Sequence, residues 1–335
     1  MMRPARHESP AANGAARRGR PWVTRYALIV GMGLAACGGG AGSVTPAPKA
    51  NASTTAQEPE EHGTFTRSGK VGTYVSIPWG FSTSSYVLEG PEGLIAIDTQ
   101  FLPSATEEMI AMAEAATKKK FVLAVVLHAN PDKFNGTATF QKRGVKVVTS
   151  AQVKALVPSI HEKRMRSFYE RYKPDYPSVL PAPESFGDKT TELRAGGLTL
   201  KVHVMGAGCS ESHVVVEHEG GLFVGDLVAN KAHSWLEIGK TDEWLKRVDE
   251  MKKLKPTRVY PGRGATGDAH LLDEEDAYLK KVITVMAAEK PTMPVREDAL
   301  DRVEKSLVAA YPGYDFAVFL KIGLPAEWER QARAR

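Results

Sequence analysis

Seven consecutive apolar residues, Phe121–Leu127 (FVLAVVL), constrain the fold more than any other stretch of this 335-residue chain. An apolar run without polar alternation is expected of a strand buried on both faces, and such a strand needs a sheet covered on both sides. The neighbouring sequence supplies the rest of the sheet and its cover. Tyr74–Pro78, Ser85–Leu88 and Leu94–Asp98 read as short strands broken by Gly and Pro, with a hairpin turn at Pro91-Glu92-Gly93. Ser104, with Glu107 three residues on, has the form of a capping box. It predicts a helix with an apolar face of Met109, Ile110, Met112, Ala113 and Ala116. Val145–Thr149 reads as a further strand and His161–Tyr172 as a basic, solvent-facing helix.

The same order then recurs. Leu198–Met205, His213–Glu217 and Leu222–Val224 read as strands, the last two joined at Glu219-Gly220. Thr241 caps a helix with Trp244, Leu245, Val248, Met251 and Leu254 as its buried stripe, and Pro256 ends it. Arg258–Tyr260 is a short strand, Leu271–Ala288 a helix, and Arg296–Tyr311 and Pro325–Arg335 are mostly helical. Two halves of strands, helix, strand, helix predict an α/β class with two sheets between outer helices.

Charge bears on function only through its location. The net charge of +5 would invite a nucleic-acid reading. All of it lies in residues 1–36, where Arg3, Arg6, Arg17, Arg18, Arg20 and Arg25 face one acid, Glu8. The remainder holds 38 basic and 38 acidic side chains. No nucleic-acid partner is therefore expected, and the aromatic-interleaved basic helix Lys163–Arg171 reads as a solvated face. The arginines precede an 11-residue apolar run, Tyr26–Ala36, shorter than the about 20 residues of a spanning helix. Basic, apolar and small residues in that order form a secretory signal.

Leu34-Ala35-Ala36-Cys37 follows, and it resembles the lipobox of bacterial lipoproteins. The resemblance implies a signal peptide over 1–36, lipidation of Cys37 and membrane attachment through it. Gly38 in place of Asp implies the outer membrane, facing the periplasm, as the location in the cell envelope. Residues 37–69 lack the apolar content of a core and read as a flexible linker. A folded domain over 70–290 and a helical extension over 291–335 complete the expected organisation. With Cys37 lipidated, Cys209 has no partner for a disulfide.

Five polar clusters fall at the ends of predicted strands, where α/β scaffolds carry their sites. They are Asp98; His128-Ala129-Asn130-Pro131-Asp132-Lys133; Gly206 to His213; Gly225-Asp226-Leu227; and Pro261-Gly262-Arg263-Gly264. Their order and spacing, with GDLVAN and VYPGRG especially close, resemble the metallo-β-lactamase superfamily over about residues 71–290. That family carries H-x-H-x-D-H, G-H-T, G-D or G-C, and P-G-H-G. The resemblance implies a four-layer αββα sandwich, one or two zinc ions, and hydrolysis of amides, esters or thioesters by metal-activated water.

The positions that would hold metal depart from the family. The resemblance places His128, Asn130 and Cys209 where three histidines are usual. It places Asp132, Lys133, Asp226 and Arg263 where Asp, His, Asp and His are usual. Lys133 and Arg263 are cations that neither ligate nor tolerate a nearby divalent ion. Asp132 and Asp226 would balance them, so a salt-bridge network in the second metal position is the expectation and binuclear zinc is not. A single zinc on His128, Cys209 and one of Asp132 or Asp226 stays open, with Asp132 the catalytic residue if the chain is active. Cys209 also reads as a small buried residue, or as a nucleophile with His128 or His213 as base. His213 matches a second histidine that the family seldom uses as a ligand. Trp79 and Phe81 read as a flap over substrate or as core aromatics, and His233 as pocket-facing or exposed.

The leading expectation is an exported, lipid-anchored protein that keeps the hydrolase-like scaffold with a degenerate metal site. It would bind a small molecule or serve an accessory role, with no cofactor or one zinc. The alternatives are an active hydrolase with an unusual mononuclear site, and a structural lipoprotein.

Overall fold

The computed structural model describes residues 61–334. The expected signal peptide, Cys37 and most of the expected linker lie outside them. The chain opens with β1 (Thr64–Ser68), β2 (Val71–Val75), β3 (Ser84–Glu89) and β4 (Leu94–Ile97), followed by α1 (Pro103–Thr117) and β5 (Phe121–Val125). Two short helices, α2 (Pro131–Phe134) and α3 (Thr137–Lys142), lead to β6 (Lys146–Thr149), α4 (Ala151–Tyr172) and β7 (Glu184–Ser185). These strands make a seven-stranded sheet in sequence order, antiparallel through β4 and parallel from β4 to β7.

The second half runs β8 (Thr191–Ala195), β9 (Leu198–Met205), β10 (His213–His218), β11 (Gly221–Ala229), α5 (Thr241–Lys253) and β12 (Arg258–Arg263). Helices α6 (His270–Ala288), α7 (Glu297–Ala310) and α8 (Val318–Arg333) follow. Its sheet has the order β12-β11-β10-β9-β8, and only the β11–β12 pair is parallel.

Two hydrophobic clusters fix the layering. The first joins strand residues of both sheets, such as Ile95 and Val125 with Leu200, Val202, Val214 and Val216. It also holds Met109 and Ile110 of α1 and Val153 and Val157 of α4. The second packs Val215, Leu222, Val224 and Val259 against Trp244, Val248, Leu279, Val303 and Trp328. The result is the four-layer αββα sandwich. Each fully buried aliphatic side chain contributes about 1.5–3 kcal/mol. β5 lies between β4 and β6 as the apolar run requires, and of Phe121–Leu127 only Val122 is exposed.

Several local expectations differ from what is seen. β1 falls inside the stretch read as linker, and it pairs along its whole length with β2. Ser104 does not cap α1: Pro103 holds the first turn, where its missing N–H costs nothing, and the Ser104 hydroxyl bonds Asp175 instead. Thr241 likewise lies inside α5, its hydroxyl donating to Glu327. α4 begins at Ala151, capped by Ser150, and runs through Pro158; α8 begins at Val318 and runs through Pro325. In both, an internal proline hid the helix's first turns from a reading by breakers. α4 is also not simply solvent-facing, since it buries His161 and Arg164.

Candidate active site and its replaced metal positions

The site lies where the two sheets meet at their strand ends. His128 follows β5 and pairs with His213 at the start of β10, with Val214 N donating to Leu127 O at 2.6 Å. This bridge brings the first-half loop against the Gly206–His213 loop. Asn130 precedes α2, which carries Asp132 and Lys133. Asp226 lies in β11, just after an irregularity at Gly225, whose φ of +55° suits glycine. Arg263 ends β12. A Cβ on Gly262 would fall 2.0 Å from Asp226 Oδ1, so only glycine lets this carboxylate take its position.

Four of these side chains form one buried network. Lys133 Nζ lies 2.8 Å from Asp226 Oδ1 and 3.0 Å from Asp132 Oδ2. Both contacts are ionic, their angles falling outside hydrogen-bond geometry. Arg263 spans the same two acids, with Nη2 3.0 Å from Asp132 Oδ2 and Nη1 3.4 Å from Asp226 Oδ1. The net charge is zero. Burial alone would push both carboxyls up, but Lys133 and Arg263 outweigh it and hold them below the usual carboxylate range. Burial would lower Lys133, and Asp132, Asp226 and Asp98 outweigh it, so the ammonium stays charged. Asp98 itself is buried beneath, accepting from Leu127 N at 2.8 Å, and burial pushes it up to about 8.

A second group adjoins the network. The ligating atoms of His128, Cys209 and His213 all lie within 4.8 Å of one another, and all three residues are buried. Cys209 Sγ is 3.2 Å from His213 Nε2, while His213 Nδ1 is 3.0 Å from Gly206 O. Neither ring nitrogen of His128 has a hydrogen-bond partner among the described residues. Burial lowers His128 to about 4 and His213 to about 3, so both rings are neutral. Burial and the nearby aspartates raise the Cys209 thiol well above its ordinary value.

The two metal positions therefore differ in fit. Around Asp132 and Asp226, an ammonium and a guanidinium fill the space of a divalent ion, and the donor set does not suit one. His128, Cys209 and His213 are two imidazoles and a thiol at close spacing, and they suit a single zinc in type and number. The fold sets His213 beside His128 and Cys209, and Asp226 Oδ2 also lies 3.7 Å from His128 Nε2.

Above the network is a cleft of about 390 Å³. Its walls are Phe81, Phe101, Phe168, Trp235 and Phe319, with Arg164 among them. Arg164 pairs through both terminal nitrogens with Glu237 and lies 5.2 Å from the Trp235 ring. Phe316 and Phe319, from the C-terminal extension, cover the Arg263 guanidinium at 5.6 and 5.4 Å. Phe81 thus lines the cleft from within an aromatic cluster with Phe101 and Phe168. Trp79 is 45% exposed and packs against Tyr172 and Arg171 outside it. His233 is neither pocket-facing nor exposed: it is buried and bonded to the Tyr278 hydroxyl.

Sequence reasoning missed Arg164, Phe168, Trp235 and Phe319. The first two are four apart on α4 and so share a face, a signal that was present. Trp235 and Phe319 carry no such local signal.

The architecture and these loops define a metallo-β-lactamase-like protein. Residues 78–263, over half the chain, match the metallo-beta-lactamase superfamily, and the chain belongs to it. It is 25% identical over 198 residues to the metallo-beta-lactamase type 2 of Bacillus cereus, covering 57% of this chain and 70% of that one. A metallo-beta-lactamase from Pontibacter korlensis superposes with a TM-score of 0.53 at 24% identity, covering 65% of this chain and 99% of that one. FIM-1 from Pseudomonas aeruginosa, solved in a mono-zinc form, gives 0.52 at 19% identity, covering 68% and 98%.

Proposed function

We propose that this protein is a non-catalytic member of its superfamily that uses the cleft to bind a small molecule. The observation that carries this is Lys133, whose ammonium takes the second metal position between Asp132 and Asp226. With Arg263 it neutralises both acids, so no charge remains there to attract a divalent ion. Elemental analysis of the purified protein tests the reading: at most one zinc per chain is expected, and two per chain overturn it.

A second reading rests on the His128, Cys209 and His213 group. A single zinc held by these three residues would supply a Lewis acid beside the cleft. One zinc per chain, lost in both Cys209→Ser and His213→Ala, together with zinc-dependent turnover of a chromogenic cephalosporin, would favour that hydrolase. On either reading, the Leu34–Cys37 sequence supports a lipid-anchored protein of the bacterial envelope. Incorporation of a labelled fatty acid that Cys37→Ser abolishes is the expected result.

A further inference from the structure

The cleft's charge balance and one unpartnered polar side chain narrow what it can hold. Its floor carries Asp132 and Asp226 against Lys133 and Arg263, and its wall carries Arg164 against Glu237. Every buried charge is matched, so neither an anion nor a cation gains from entering, while each would lose its hydration. Five aromatic rings form the walls, among them the edge-to-face pairs Phe101–Phe168 at 5.4 Å and Trp235–Phe319 at 4.8 Å. Such walls favour a flat ring.

One polar side chain is unused. The Asn130 carboxamide lines the cleft, the residue is 9% exposed, and its side chain has no partner among the described residues. A carboxamide offers one acceptor and two donors. An amide edge is the complement: its N–H donates to the Asn130 oxygen, and its carbonyl accepts from the Asn130 NH2.

We infer that the cleft selects an uncharged planar ring bearing an amide or imide edge, recognised by Asn130 between aromatic walls. The inference rests on the reading of the cleft as a binding site. Titration calorimetry with benzamide, benzoate and benzylammonium tests it, since the three share a ring and differ in charge. Saturable benzamide binding is expected, at least about tenfold tighter than either ion. Asn130→Ala should weaken benzamide about tenfold, close to 1.4 kcal/mol. That variant removes no internal hydrogen bond, and an unchanged thermal melt checks that it is folded. Equal or tighter binding of either ion, no saturable benzamide binding, or an unaffected Asn130→Ala variant overturns the inference. Failure of the broader reading looks different: it would appear as two zinc ions per chain, whatever benzamide does.

Discussion

Lys133 is the residue on which the site turns. Removing one partner from a buried ion-pair network leaves uncompensated charge, at a cost of about 3–5 kcal/mol. Lys133→Met should lower unfolding stability by that amount in urea titration, and adding Asp132→Asn should restore part of it. A double variant as unstable as the sum of the singles would mean that the two side chains are uncoupled. A second prediction concerns the metal positions. Asn130→His, Lys133→His, Cys209→His and Arg263→His made together should recover zinc uptake, measured by elemental analysis. Each alone should do little, because Arg263→His still leaves Lys133 between the acids and Lys133→His still leaves Arg263 across them. All of these positions were legible in the sequence, because the loops keep their spacing even where the side chains have changed. The juxtaposition of His213 with Cys209 was not, since it depends on how the Gly206–His213 loop turns back against His128.

At the level of elements, the C-terminal extension completes the cleft. Phe319 of α8 meets Trp235 edge to face and covers Arg263. Phe319→Ala should expose Trp235 to acrylamide quenching and cost about 3–5 kcal/mol of stability. The contact between α6 and β11 sets a pH response. Glu275 accepts from Ala229 N and from the Ser234 hydroxyl, and burial lifts its carboxyl from 4.5 to about 7. The folded state therefore keeps a proton that the unfolded chain releases. The stability due to that proton is complete below pH 4.5 and is lost as pH rises through about 7. Glu275→Gln keeps the Ala229 bond, and Ser234 can turn to accept from the new amide. Its stability should fall less between those pH values, by up to about 1.4 kcal/mol per unit. An unchanged slope would place Glu275's pKa at its ordinary value. Most of the strands and α5 were readable from periodicity and punctuation, whereas β1, β7 and β8 were not. The early starts of α4 and α8 were not, because tertiary packing carries each helix through a proline that local rules treat as a boundary.

For the molecule as a whole, charge and core are decoupled from the site's chemistry. The surplus of positive charge lies in residues 1–36, and the rest of the chain is balanced. Protein lacking that segment should show no retention on immobilised DNA at low salt, where a basic body would bind. The four-layer core rests on the two clusters of aliphatic and aromatic side chains, which among the described residues contain no candidate metal ligand except Cys209. Strand patterning made the two-sheet class readable, and the order and spacing of the strand-end loops made the family readable although their side chains are altered.

The ammonium between Asp132 and Asp226 has a consequence for how such a protein depends on its surroundings. A cation supplied by the polypeptide is made at one per chain by translation itself. It cannot be stripped by a competing chelator or mismetallated, and it needs no delivery. This half of the site is complete as soon as the chain folds, in zinc-starved and zinc-replete medium alike.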